Sequence, residues 1–453
     1  MSSEHTVIIG AGLAGLLAAA VIGATGRRVT VLEQDRSDGS PVPRGGVPQG
    51  RQPHVLLYRG LCAIEELLPG LRAQLIAAGG VPLDTGDLAW LGERGWAPFG
   101  IPAFELVSAT RPLVEHLVRR RVAAQAGVEL RSGARVSGLH RPTTATGGGW
   151  LIESANTPPI SADLVVDASG RSSRLPHWLA RCGTGEPPTT TVDAGFGYAG
   201  RVYAAPPDHL GRVAGIVMLP TQSAPAGGVA LPVEDGRWLV AAVGAGDHRP
   251  PRDPEGFDAF LARLRDPALS EFTRSARPLG DITVHRRTNN VRRRYDRLTP
   301  WPDGLLVIGD ALCAFNPVYG QGITVAATQA LLLRQALASA ARPGWQRRLM
   351  RLFHKATDLP WAIATGEDLR HIGAQRQRPG ADTLFARWSG EVDRLAAHGD
   401  LRAQRTLDRV YHLVGSPIEL FNPALLTTAL RGRLRGLPAP TPRPPFATGT
   451  GTS

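Results

Sequence analysis

The sequence predicts an α/β protein: a parallel sheet assembled from separate stretches of chain, an inserted and mostly antiparallel sheet, and helices toward the C-terminal end. Three observations predict it. An apolar run at residues 6–9 ends in Gly10-Ala11-Gly12-Leu13-Ala14-Gly15. Far downstream a second apolar run, Leu305-Leu306-Val307-Ile308, ends in Gly309-Asp310 and leads to Pro317, Gly320 and Gly322. Between residues 190 and 300 the texture changes to short apolar runs bounded by turn residues, the signature of antiparallel strands. Two strand ends of one kind that bracket a block of another kind describe one discontinuous domain with an insertion.

The first segment has a physical reading residue by residue. Its apolar run suits a strand buried on both faces, as in parallel sheets. Gly10, Gly12 and Gly15 have the G-x-G-x-x-G spacing. The first permits a tight turn, the second lets the backbone approach a pyrophosphate, and the third lets the following helix pack close to the strand. Leu13 and Ala14 lie in that turn, where unpaired N–H groups and a helix dipole face the phosphates. A second strand, 28–32, ends at Glu33, where a carboxylate accepts bonds from ribose hydroxyls and disfavours a 2′-phosphate. The nucleotide is therefore FAD or NAD rather than NADP. Gly309-Asp310 returns a second acid and a second glycine loop to the same ligand. Closure on a nucleotide from both ends of the chain is typical of a flavin enzyme.

The remaining elements follow in order. Residues 1–85 hold the opening βαβ unit, a Gly/Pro/Arg-rich loop and a helix over 61–79. Residues 80–108 alternate apolar runs with turns, and 86–108 are assigned to the inserted sheet. Arg111 opens an amphipathic helix with Leu113, Val114, Leu117, Val118 and Val122 at helical spacing. With strands around 128–139, 150–152 and 163–168 it makes the second part of the nucleotide domain, 109–185. The body of the insertion is 186–297, with strands at 195–203, 212–219, 228–232 and 238–244. Asp253-Pro254-Glu255 is a helix start, and Phe257, Phe260, Leu261 and Leu264 form its buried stripe. A strand over 282–294 leads back to the third part, 298–345. Residues 346–436 read as a C-terminal helical region, and 437–453 as a disordered tail rich in proline, glycine and threonine.

Composition bounds the rest. The chain has 453 residues, 43% hydrophobic and 20% charged, enough for two globular domains. Cys62, Cys182 and Cys313 are too scattered for a disulfide framework or a metal site and read as inert buried thiols. No leader and no run of about 18 apolar residues is visible, so the expected location is cytoplasmic. The net charge is +12. It is almost all arginine and spread along the chain, apart from a cluster of Arg286, Arg287, Arg292, Arg293, Arg294 and Arg297. No helix-turn-helix, zinc-finger or RNP signature accompanies it, so no nucleic-acid partner is expected. An acidic carrier protein or a reductase fits that charge. The apolar stretch from Leu407 to Leu430 fits either a membrane-surface helix or helices docked on the nucleotide domain; docking is favoured.

These residues together resemble the flavin-dependent monooxygenases of the p-hydroxybenzoate hydroxylase type, over roughly residues 5–330. Gly10, Gly12, Gly15 and Glu33 match the family's FAD turn and ribose acid. Asp167-Ala168-Ser169-Gly170-Arg171-Ser172-Ser173-Arg174 looks like a variant of its D-G-x-x-S-x-x-R motif, with two residues between the Asp and the Gly. Gly309, Asp310, Pro317, Gly320 and Gly322 match its third motif, whose Asp bonds the ribityl chain. Arg111 resembles its FAD-contacting arginine. A narrower likeness, carried by Gly46-Val47-Pro48-Gln49-Gly50-Arg51 and by residues 313–322, points to the flavin epoxidases of polyether biosynthesis, relatives of squalene epoxidase.

The resemblance implies non-covalent FAD, O₂ as co-substrate, and NAD(P)H or a separate reductase as electron donor. It implies a C4a-hydroperoxyflavin that delivers oxygen to an apolar substrate, with epoxidation of a polyene or polyketide alkene as the expected reaction. Aromatic hydroxylation and prenyl-chain reduction are the alternatives, and a non-catalytic FAD-binding protein is the alternative of another class. A flavin halogenase would carry a lysine in its first part and a W-x-W-x-I-P motif; the only lysine is Lys355, and Trp90 and Trp96 lack that context. Arg51 and His54 are candidate flavin or substrate contacts. No His–Asp acid–base pair is legible, and alkene epoxidation needs none.

Overall fold

A computed structural model describes residues 4–36, 39–43, 45, 50, 52, 56–141, 149–155, 157–206, 208–339, 343–372 and 381–446. Its nucleotide domain is built on a five-stranded parallel sheet. The strand order is Leu305–Val307, Leu164–Asp167, His5–Ile9, Arg28–Glu33, Val128–Ser132. Central strand His5–Ile9 is buried along its whole length, as a parallel strand covered on both faces must be. Helix Leu13–Gly23 is buried at almost every position. It lies between helices Arg111–Ala123 and Gly322–Leu337, so an amphipathic pattern would have been wrong for it.

The inserted domain is a six-stranded sheet in the order Arg277–His285, Phe196–Ala204, Arg237–Ala245, Ala226–Val233, Gly215–Met218, Leu88–Leu91. All pairs are antiparallel except the last, which is parallel. Strand alternation gives this sheet two apolar faces. Ala199, Tyr203, Trp238, Val240, Ile216 and Met218 pack against Phe257, Phe260, Leu261, Leu269 and Phe272 of helices Pro254–Ala262 and Ala268–Ser275. Trp238 and Phe272 approach to 4.9 Å between ring centroids, and such pairs add about 0.5–1.5 kcal/mol beyond burial. Asp253 caps the first of these helices, its side chain accepting the N–H of Gly256 at 2.7 Å. The second helix was not foreseen. On the opposite face, Val243, Ala241, Val229, Leu231, Val217, Leu88 and Trp90 are left to line a cavity.

The expected strand over 282–294 is two strands. Arg277–His285 ends the six-stranded sheet, and Asn290–Arg293 pairs instead with Thr189–Val192 and Cys313–Ala314. The break falls at Arg286 and Arg287, whose exposed side chains leave the sheet. Likewise the stretch 128–139 divides between the parallel sheet and a small sheet of Val136–His140, Trp150–Ser154 and Thr157–Ala162.

Helices Ala381–Ala397, Leu401–Tyr411 and Pro423–Arg435 close around their own small core of Val392, Leu395, Ala403, Leu420 and Leu425. The segment after them corrects an expectation. Residues 437–446, read as disordered, lie along the protein: Thr441 N–H donates to Ala397 O at 2.7 Å, and Arg443 pairs with Asp266 and Glu271. Phe446 packs on Trp96 at 6.2 Å. Proline removes backbone donors but does not prevent an extended segment from docking through its side chains. Among the described residues, no helix is long and apolar enough to cross a membrane, and no cluster of three or more His, Cys, Asp or Glu could hold a metal. Cys62 is exposed and Cys182 partly so; only Cys313 is the buried thiol expected of all three.

Candidate active site

A cavity of about 440 Å³ lies between the parallel sheet and the free face of the six-stranded sheet. Gly10, Gly12, Leu13, Ala14, Glu33, Arg111, Gly309, Asp310, Pro317, Gly320 and Gly322 all line it. Gly15 does not. A Cβ there would stand 1.9 Å from Gly10 O, so its role is the close helix–strand contact rather than the ligand.

The nucleotide end is a cradle of backbone. Helix Leu13–Gly23 starts with Gly12 at its N-cap and no side-chain cap, which leaves N–H groups for an anion. A Cβ on Gly12 would meet nothing within 4 Å; that space lies in the cavity, where a pyrophosphate needs it. Glu33 accepts Ala11 N–H at 2.8 Å and Asp35 N–H at 3.0 Å. Its carboxylate thus fixes the turn while lining the cavity. Arg111 opens its helix beside Thr110, which caps it, and is held by Glu115 at 2.8 Å. At the other strand end, Gly309 N–H is taken by Gln329 at 2.8 Å, and Arg293 donates to Asp310 O and Ala311 O. Gln321, 3% exposed and on the cavity wall, has an Oε1 with no partner among the described residues. An orphaned buried acceptor is costly unless a ligand donor meets it. Open cradle, unfilled acceptor and uncapped helix all fit a dinucleotide.

The middle motif binds the segments together. Asp167 is fully buried; it accepts Ser169 N–H at 3.0 Å and the Ser169 and Ser173 hydroxyls at 2.5 Å each. Burial pushes its carboxyl up, against these donors. Arg171 donates to Asn289 O and, at 2.8 Å, to Phe315 O. That holds the chain just before Pro317.

The substrate end is made by side chains that sequence reasoning missed. Tyr198 donates to Asn316 Oδ1 at 3.0 Å. Asn316 Nδ2 (3.0 Å), Asn290 Nδ2 (2.6 Å) and the Tyr319 hydroxyl (2.7 Å) all donate to Asp368. Burial pushes the Asp368 carboxyl up to about 6, although those three donors pull it down. Beside Tyr198, across the strand pair, is His285. Burial lowers its pKa, so the ring is neutral near pH 7. Its Nε2 lies 3.1 Å from Arg287 O. A carbonyl only accepts, so Nε2 carries the proton and Nδ1 keeps its lone pair. His285, Tyr198, Tyr411 and His412 all line the cavity. The last two arrive from the end of helix Leu401–Tyr411, with Tyr411 edge-on to Trp90 at 5.1 Å. Helix docking was expected of this region; a share in the cavity wall was not. Arg51 and His54 lie outside the described residues, as does most of the stretch 46–51. His285 ends a strand with a turn beyond it, a weak local signal. Nothing local marks His412.

This fold and site define an FAD-dependent oxidoreductase of the monooxygenase type. More particularly, the chain belongs to the FAD binding domain family, which matches residues 4–366. It is 33% identical to Protein Rv3254 of Mycobacterium tuberculosis over 92% of each chain. It is 27% identical to a kynurenine 3-monooxygenase of Salinispora tropica, covering 95% of this chain and 98% of that one. Among solved structures it resembles pqsL, a probable FAD-dependent monooxygenase from Pseudomonas aeruginosa. The TM-score is 0.60 at 18% identity, over 82% of this chain and 98% of that one.

Proposed function

We propose that this enzyme inserts one oxygen atom from O₂ into an apolar, ring-bearing substrate, and that its reaction is hydroxylation of an aromatic ring carrying a hydroxyl or amino group. One observation carries the choice: a neutral imidazole, His285, lines the cavity at the edge of an apolar sheet face, and its Nδ1 lone pair has no partner among the described residues. Bound FAD, once reduced by NAD(P)H or a separate reductase, supplies the activated oxygen. The chain supplies the rest. Gly10, Gly12, Leu13 and Ala14 would hold the pyrophosphate, Glu33 the ribose and Asp310 the ribityl chain. The sheet face of Val217, Val229, Leu231, Ala241 and Val243 excludes water and holds the ring by apolar contact. His285 withdraws the proton from the ring hydroxyl as oxygen is transferred, raising electron density at the attacked carbon.

Alkene epoxidation, the expectation from the sequence, keeps the support of the same apolar wall but gives His285 nothing to do. The kynurenine 3-monooxygenase likeness also favours a ring. Single-turnover oxidation of pre-reduced enzyme in ¹⁸O₂ separates the two. Phenols labelled on the ring, with polyenes untouched, are expected. Labelled epoxides from polyenes, at a rate unchanged in His285→Gln, would restore the epoxidase reading.

A further inference from the structure

His412 does two jobs with its two ring nitrogens. Helix Tyr58–Leu67 begins with Leu57 at its N-cap and no side-chain cap of its own. His412 caps it from the far end of the sequence. Tyr58 N–H donates to His412 Nδ1 at 3.2 Å, and Arg59 N–H donates to His412 O at 3.3 Å. An N–H can be accepted only by the unprotonated nitrogen, so the neutral ring carries its proton on Nε2. The ring is 4% exposed, packs on Phe104 at 4.8 Å and lines the cavity. No residue among those described accepts from Nε2–H. Burial holds the pKa down at about 4, so the ring stays neutral across ordinary pH. A donor of fixed direction on a buried ring that lines the cavity, unmatched among the described residues, is a request for an acceptor on the ligand.

Position adds to this. Tyr411, the residue before it, rests on Trp90 of the strand at one edge of the six-stranded sheet, whereas His285 lies on the strand at the opposite edge. Five inter-strand steps separate those edges, about 24 Å. His412 therefore enters the cavity beside the edge strand opposite to that of His285, and the two have opposite polarity, one an acceptor and the other a donor.

We infer that His412 determines specificity: its Nε2–H receives a neutral carbonyl oxygen of the substrate, at the end of the cavity closed by the C-terminal helices. The substrate class is then an extended apolar ring system bearing a ketone or quinone carbonyl remote from the ring that reacts. This rests on the cavity being the substrate site, but not on which oxygenation occurs there.

The test is equilibrium binding to the oxidised FAD holoenzyme, with no reductant, so that no turnover is involved. Xanthone and xanthene are the probes; they differ by one carbonyl in place of a methylene. Their dissociation constants are measured by calorimetry for wild type, His412→Phe and His412→Gln. Phenylalanine keeps the ring against Phe104 and loses the donor; glutamine can restore it. The preference for xanthone over xanthene should fall by roughly two- to twelvefold in His412→Phe, the range of one neutral hydrogen bond, and return in part in His412→Gln. A purely structural cap would weaken both probes alike and leave the ratio unchanged. An unchanged ratio, or wild type that prefers xanthene or binds neither probe, overturns the inference. If His412→Phe does not retain FAD, the ratio in His412→Gln against His412→Leu decides in the same way. Wild type that shows this carbonyl preference, lost in His412→Phe, but hydroxylates no ring substrate would instead count against the reaction proposed above.

Discussion

The two ends of the cavity are built by different means. At the nucleotide end the decisive groups belong to the backbone: Gly10 to Ala14 with an uncapped helix, and Gly309 to Gly322 after the strand two places away in the same sheet. At the substrate end they are side chains from all six strands of a different sheet, joined by Tyr411 and His412 from the C-terminal helices. Backbone cradles demand particular residues at fixed spacing, because a Cβ in the wrong place is a clash. A side-chain wall needs only volume and alternation, so each position can change singly. In the function proposed above, the first end holds the cofactor and the second selects the substrate.

The largest expected effect tests the rigidity of the cradle. Gly15→Ala places a Cβ 1.9 Å from Gly10 O, and strand and helix must part. Purified protein should lose FAD and the apoprotein should melt lower than wild type. Gly12→Ala is the contrast: its Cβ enters open cavity, so FAD should weaken while the apoprotein melts as wild type does. Equal melting of the two apoproteins would break the distinction between packing glycine and ligand glycine.

Next in size is the base proposed on that wall. His285→Gln should slow oxygen transfer to a phenolic substrate by about 10²–10⁴-fold, with FAD retained. In wild type the rate should hold steady above pH 6.5 and fall as acid protonates the ring, because burial lowers its pKa. Stopped-flow single turnovers across pH measure both. A variant that keeps the acid limb would remove His285 from the chemistry.

Asp310→Ala should raise the FAD dissociation constant by about 10- to 150-fold, the equivalent of one charged hydrogen bond of roughly 1.5–3 kcal/mol. Fluorescence of released flavin after dilution reads this directly. Unchanged retention would take Asp310 out of the cradle.

The same contrast explains what was legible in the sequence. Gly10, Gly12, Gly15 and Glu33 have local spacing, and the structure places Gly10, Gly12 and Glu33 on the cavity, with Gly15 behind them. The antiparallel insertion was legible because alternation is local too, although one expected strand over 282–294 proved to be two in different sheets. His285 and His412 were not legible. Each acts through one nitrogen fixed by a backbone partner: Arg287 O, two residues away, and Tyr58 N–H, distant in sequence. Side-chain polarity set by tertiary contact leaves no periodic trace. The ordered segment 437–446 was hidden by composition, since its run of prolines masks the anchors Arg443 and Phe446.

The last comparison concerns the junction between the two ends, where Asn316 connects Tyr198 of the wall to buried Asp368. Its carboxyl is raised from 3.8 to about 6, with burial the main cause. The folded state thus holds the proton more tightly than the unfolded chain does. That contribution is present below about pH 3.8, declines as pH rises, and is gone above about 6, a change on the order of 3 kcal/mol. Asp368→Asn imitates the protonated acid. Its oxygen can keep the bonds from Asn316 and Tyr319, but its amide nitrogen cannot accept from Asn290 Nδ2, so the variant starts from a lower melting temperature and only the pH dependence is compared. The variant should therefore escape the loss, and its melting temperature should rise relative to wild type by a few degrees between pH 4.5 and 7.5. Taking the difference between the two profiles cancels the other groups that titrate in this window, Asp393 and Asp408 among them. FAD occupancy should not change, since Asp368 is not among the residues lining the cavity. Parallel melting profiles would mean that the three donors outweigh burial and that Asp368 is charged in the folded protein.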